Sequence, residues 1–193
     1  MKKICFILLI FILFSSCSKD VLDRTIFIPD ENDNSLPAYT EWGYNTFGAE
    51  YERNYFLVSY DIVPCKILFK DNQLQFSLSG KIRYNQEMTL LFIFPSSQIN
   101  DYKELLQLHK KEIDLSAENC IVKIMQNGNE QILDVFEGKL FFKRAQLLSV
   151  DDQVNRVILS GTFEVNFLQN NFPTRISNGR FDLGITKNIF YTY

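Results

Sequence analysis

Histidine is almost absent from this chain: His109 is the only one in 193 residues. Any Ser-His-Asp or Cys-His device would have to use it. It falls inside an apolar stripe near a predicted helix C-terminus, where a partly buried charged imidazole is favourable without any catalytic role. Cysteine is scarce too. There are four, and no two are spaced Cys-x-x-Cys, so the ligands for a zinc site are missing. No catalytic or cofactor motif is present, and no cofactor is expected. Clustered positive charge is also lacking. Lysines and arginines are interspersed with acids, which excludes the basic footprint of a nucleic-acid binder. The chain has no apolar run of the roughly 20 residues a membrane-spanning helix needs.

The longest apolar run, Ile4 to Phe14, instead follows Lys2 and Lys3 and precedes Ser15-Ser16-Cys17. This is the layout of a bacterial lipoprotein signal peptide over residues 1–16, with the mature chain starting at Cys17. Acylation of Cys17 would supply two or more chains, which is what stable anchoring requires. The expected partner is therefore a membrane, reached through acylated Cys17. The expected location is the outer membrane, as a lipoprotein either surface-exposed or facing the periplasm. Loss of Lys2 and Lys3 leaves 18 basic side chains against 23 acidic ones, a mature net charge of about −5. About 175 residues remain, enough for one domain with a substantial core.

Residues 17–37 carry Lys19, Asp20, Asp23, Asp30, Glu31, Asp33 and several asparagines with little periodicity, and read as the lipidated cysteine and a flexible tether. Asp30, Asn32, Asn34 and Glu41 fall at positions 1, 3, 5 and 12 of a calcium loop. Ser35 replaces the glycine at the sharp turn, however, and Pro37 interrupts the loop, so no metal is expected.

Residues 38–193 read as a single antiparallel β domain. Cys65, Ile67 and Phe69, then Leu74, Phe76, Leu78, Ile82 and Tyr84, alternate with polar neighbours about Asp71-Asn72. A two-residue turn there pairs Phe69 with Leu74, Ile67 with Phe76 and Cys65 with Leu78. Met88 to Phe94, ended by Pro95, suits a central strand. One helix is predicted over Asn100 to Ile113, with Tyr102, Leu105, Leu106, His109 and Ile113 on one face. Further strands are predicted at Cys120 to Met125, Ile132 to Phe136, Lys139 to Leu148, Val157 to Phe167, and Phe181 to Ile185, with Ile189, Tyr191 and Tyr193 extending the sheet. Asn127-Gly128 and Asn178-Gly179 read as turns, and Asn170 to Asn178 as a loop. The expected fold is all-β with one short helix inserted, either an antiparallel β-sandwich or a calycin-like barrel.

Thr40-Glu41-Trp42-Gly43-Tyr44-Asn45-Thr46-Phe47-Gly48-Ala49, Gly161-Thr162-Phe163-Glu164 and Ile176-Ser177-Asn178-Gly179-Arg180-Phe181-Asp182 resemble stretches of uncharacterised Bacteroidota envelope lipoproteins. The resemblance covers Tyr39 to Ile185 and implies location, with no activity attached. Cys17-Ser18-Lys19-Asp20 is similar to the lysine-plus-acid signal that follows the lipidated cysteine in surface-exported lipoproteins of that phylum.

Functional candidates are few. Tyr39, Trp42, Tyr44, Phe47, Tyr51, Tyr55, Phe56 and Tyr60 crowd one segment, and exposed aromatics there would form a platform for a glycan or an envelope protein. Trp42, Tyr44 and Tyr39 are the expected ligand-binding residues of a non-catalytic module. Three alternatives stand beside it: a purely structural, fimbria-associated lipoprotein; a barrel holding an apolar ligand against Leu74, Phe76, Leu78, Leu159, Phe163 and Val165; and, last, a glycoside hydrolase using a carboxylate pair drawn from Glu41, Glu50, Asp61, Glu164 and Asp182. Catalytic residues are expected to be none. Cys65 and Cys120 are a possible disulfide in an oxidising compartment.

Overall fold

Asp71 and Asn72 both adopt left-handed backbone, with φ of 52° and 58°, the geometry of a two-residue hairpin turn. They join β3 (Cys65–Lys70) to β4 (Gln73–Ile82) in the predicted register: Phe69 opposite Leu74, Ile67 opposite Phe76, Cys65 opposite Leu78. All six side chains are buried. The computed structural model describes residues 24–82, 86–150 and 153–193, and of Val150 the backbone only. The signal peptide, Cys17, Tyr84 and the predicted turn at Asp151-Asp152 lie outside the described residues.

The remaining strands are β1 (Thr46–Tyr51), β2 (Asn54–Val58), β5 (Gln86–Pro95), β6 (Lys111–Asp114), β7 (Ile121–Gln126), β8 (Asn129–Ile132), β9 (Asp134–Val150), β10 (Gln153–Gln169), β11 (Phe172–Ile185) and β12 (Phe190–Thr192). They form one open, antiparallel sheet in the order β6-β9-β10-β11-β1-β2-β4-β5-β7-β8. β3 branches from β4, and β12 lies parallel to β3. β2 meets β4 through only two residue pairs. A Cβ on Gly80 at that crossing would fall on the Leu57 carbonyl oxygen, so the close approach requires glycine. Two layers then face each other in a sandwich-like fold. Phe76 lies 5.2 Å from Phe181 and 5.6 Å from Phe142, and Phe92 5.5 Å from Phe163, ring centre to ring centre. Leu74, Phe76, Leu78, Leu159, Phe163 and Val165, the row offered as a ligand-cavity lining, are buried in this contact between layers.

Four expectations need correction. The predicted helix is a 3-10 helix, Tyr102–Leu108, and Ile113 belongs to β6. Its buried residues Tyr102, Leu105 and Leu108 repeat every three positions, the period of a 3-10 turn, whereas Leu106 and His109 are exposed. His109 accepts a hydrogen bond from the Ala145 N–H at Nδ1 (3.2 Å), which ties the end of the 3-10 helix to β9. The loop at Asn170 to Asn178 is instead a tight turn at Asn170-Asn171 (φ 51° and 65°) followed by continuous strand. Asn178 (φ 53°) lies in β11 beside a register shift with β10. The predicted strand Ile132 to Phe136 is broken at Leu133, between β8 and β9.

The fourth correction concerns the tether, which from Arg24 onward is docked on the sheet. Leu36 is fully buried, the Ala38 N–H donates to the Ile28 carbonyl (2.7 Å), and Pro29 bridges Pro37. Asp30 accepts from the Asn32 N–H (2.9 Å) and from Arg180 Nη1 (2.6 Å), so the first position of the calcium-like loop serves as a structural clasp.

Candidate functional site

Strand alternation in β11 sends Phe181 and Leu183 into the core and Asp182 to the opposite face. Asp182 is nevertheless 1% exposed, because residues 40–44 fold over it. Its carboxylate accepts from Thr40 Oγ1 (2.5 Å), Trp42 N (3.1 Å), Gly43 N (2.7 Å) and Tyr44 N (3.3 Å). Successive N–H groups curled around one anion form a nest, and Gly43, at φ +75°, supplies the left-handed residue it needs. The Tyr44 carbonyl is tied in turn by the Ile26 N–H (2.9 Å). Two stretches read separately in the sequence, Thr40 to Tyr44 and Arg180 to Asp182, are thus one device.

What the device holds outward is the indole of Trp42, 69% exposed. Beside the loop, the Tyr39 hydroxyl donates to Glu41 Oε1 (2.9 Å), and Arg144 Nη1 donates to Glu41 Oε2 (2.7 Å). Arg144 Nε also donates to Gln146 (2.8 Å), and Lys143 Nζ lies 4.4 Å from the centre of the Tyr39 ring. The Arg144 guanidinium, with help from the Tyr39 hydroxyl, holds the Glu41 carboxyl below its ordinary value, and burial pushes the Tyr39 phenol up.

Of the three predicted binding residues only Trp42 is freely displayed. Tyr39 and Tyr44 are half-buried, and one face of Tyr39 is taken by Lys143. Phe47 and Phe56 pack together in the core at 4.9 Å, and Tyr51 is buried. Tyr60 is 76% exposed, at the edge of an open groove of about 600 Å³ lined also by Arg24, Asn45, Val63 and Asn188. This groove is not legible in the sequence, because most of its walls come from loops with no periodicity.

Each acid considered for hydrolysis already has a structural partner: Glu41 has Arg144, Glu50 has Asn178 (2.8 Å), Asp61 has Lys81 (3.1 Å), Glu164 has Arg175 (3.9 Å), and Asp182 has the nest. Among the described residues no cluster of His, Cys, Asp and Glu could hold a metal ion. The possible disulfide is a further correction, since Cys65 and Cys120 are both free thiols. Cys65 lies in β3 and Cys120 just before β7, separated by β4 and β5, so roughly 14 Å of sheet parts them where a bridge tolerates about 7 Å. Burial raises both thiol pKa values.

Comparison with protein-family models, with curated proteins and with solved structures finds no match to this chain. The class the coordinates define is an all-β, sandwich-like domain.

Proposed function

We propose that this chain is a lipid-anchored outer-membrane protein that binds a glycan without catalysis, through Trp42. The observation that carries the reading is the display of one water-exposed indole on backbone that a buried carboxylate has already ordered. Sugar rings stack on aromatic faces, and a ring that is held in place before binding loses little entropy when the ligand arrives. Arg144, Gln146 and Glu41 supply polar groups beside it for hydroxyl recognition. The engagement of the candidate carboxylates in structural contacts supports a non-catalytic role. The envelope location is supported by the signal-peptide layout and by the resemblance of the Trp42 loop to Bacteroidota lipoproteins.

Glycan-array binding followed by titration of the Trp42 emission tests the reading, because Trp42 is the chain's only tryptophan. A hit that shifts the emission and is lost in Trp42→Ala, with an unchanged melting temperature, is the expected result. An array without hits overturns the glycan reading and leaves a partner protein as the target of the same surface. Independently, Cys17→Ala should abolish acyl labelling and release the protein from the membrane fraction.

A further inference from the structure

We infer that the end of the fold carrying Tyr60 and Val63 is a lipid-docking face that lies on the surface of the membrane holding the anchor. The inference rests on acylation of Cys17. Arg24 lines the 600 Å³ groove, so the chain enters the described fold at that groove. Six residues separate Cys17 from Arg24, and the seven Cα-to-Cα steps across them cannot reach beyond about 25 Å however they are arranged. This end is therefore confined within that distance of the acyl chains, while the far end of β11, at Phe172, is not.

The surface here suits the interface between headgroups and acyl chains. Tyr60 and Val63 are 76% and 61% exposed. A second groove of about 310 Å³ shares Val63, Asn188 and Ile189 with the first and adds Lys66 and Tyr191, so the two form one continuous patch. Tyrosines with an apolar body and a wet hydroxyl, alongside aliphatic side chains, are the residues that settle at headgroup depth. Arg24 and Lys66 supply cations for lipid phosphates, and Lys66 Nζ sits 4.6 Å from the Tyr191 ring centre. The acid of the patch, Asp61, is engaged by Lys81 at 3.1 Å. Tethering within 25 Å keeps this face at a millimolar effective concentration of membrane, so even weak interfacial affinity is enough to dock it.

The test uses the full acylated chain in vesicles of phosphatidylethanolamine and phosphatidylglycerol carrying spin-labelled lipid. In a Trp42→Phe background, a single reporter is placed by Tyr60→Trp or by Phe172→Trp, both at highly exposed positions. Spin-labelled lipid should quench the Tyr60→Trp reporter at least about twofold, since interfacial residues sit about 5 to 10 Å deep, and leave the Phe172→Trp reporter unchanged. Equal, weak quenching of both reporters in a protein whose mass confirms acylation overturns the docking face while leaving the anchor intact. A mature mass without acyl chains overturns the anchor and the docking face together.

Discussion

Asp182 illustrates how a single buried carboxylate can organise a surface it does not itself reach. With Asp182 removed, the N–H groups of Trp42, Gly43 and Tyr44 and the Thr40 hydroxyl lose their common acceptor beneath a covered loop. Asp182→Ala should therefore cost about 3 to 5 kcal/mol, the usual loss on deleting one partner of a buried charged network, whereas Trp42→Ala should stay within about 0.5 kcal/mol. Denaturant midpoints of the two variants check this, and equal costs would mean that Trp42 is part of the core. Asp30 makes a pH-dependent contribution at the same scale. Its carboxyl is held below the ordinary aspartate value, first by the Asn32 N–H and then, against desolvation, by the Arg180 guanidinium and the Asp33 N–H. The stability it supplies is thus present above about pH 4, where an unfolded aspartate is ionised, and is lost as pH falls through its lowered value. Hydrogen-exchange protection factors, corrected for the intrinsic pH dependence, should fall at the Ile26, Asp30 and Ala38 amides in that acid window while β4 stays protected.

Elements with one wet face and tight turns were legible in the sequence; elements defined by what covers them were not. The β3–β4 hairpin could be read because period-two alternation and a two-residue turn select the same register, and a one-residue slip would expose the whole apolar row. Phe76→Ala should cost about 3 to 5 kcal/mol, since Phe76 touches the rings of Phe92, Phe142 and Phe181, whereas Gln75→Ala should stay within about 0.5 kcal/mol. Comparable losses in thermal unfolding at both positions would contradict the observed pairing. The 3-10 helix is hard to read because Tyr102, Leu105, Leu106 and His109 satisfy a 3.6-residue period while Tyr102, Leu105 and Leu108 satisfy a 3.0 one, and only contact with β9 and β10 selects the second. The docked Arg24 to Pro37 segment resembles a tether in sequence because its polar residues have no periodicity. Asp30 and Asp33 accept from local N–H groups, and the partner Arg180 lies 150 residues away. The display of Trp42 could be proposed from composition, but its support by Asp182 could not, since nothing local links residues 140 apart.

At the scale of the whole molecule, the sheet order settles how the cysteines can behave and offers one measurement that reads several properties together. On the processing proposed above, Cys5 would leave with the signal peptide and Cys17 would carry its first acyl group on sulfur, so neither would present a thiol in the anchored protein. Cys65 and Cys120 are free and parted by two intervening strands. Unfolded mature protein should therefore titrate two thiols. A bridge would leave none, a cleaved but unacylated chain three, and an unprocessed chain four. The folded protein should react far more slowly, and unevenly. Cys65 is fully buried with its pKa pushed up by desolvation, so its alkylation should wait for global unfolding. Cys120 is half-buried and sits near Asp114, which adds to the desolvation that raises its pKa, so it should label first and faster as pH rises. Mass spectrometry after timed alkylation assigns each site. Simultaneous labelling of both at neutral pH would mean that β3 opens as readily as the margin before β7, which a strand paired on both sides by β4 and β12 should not do.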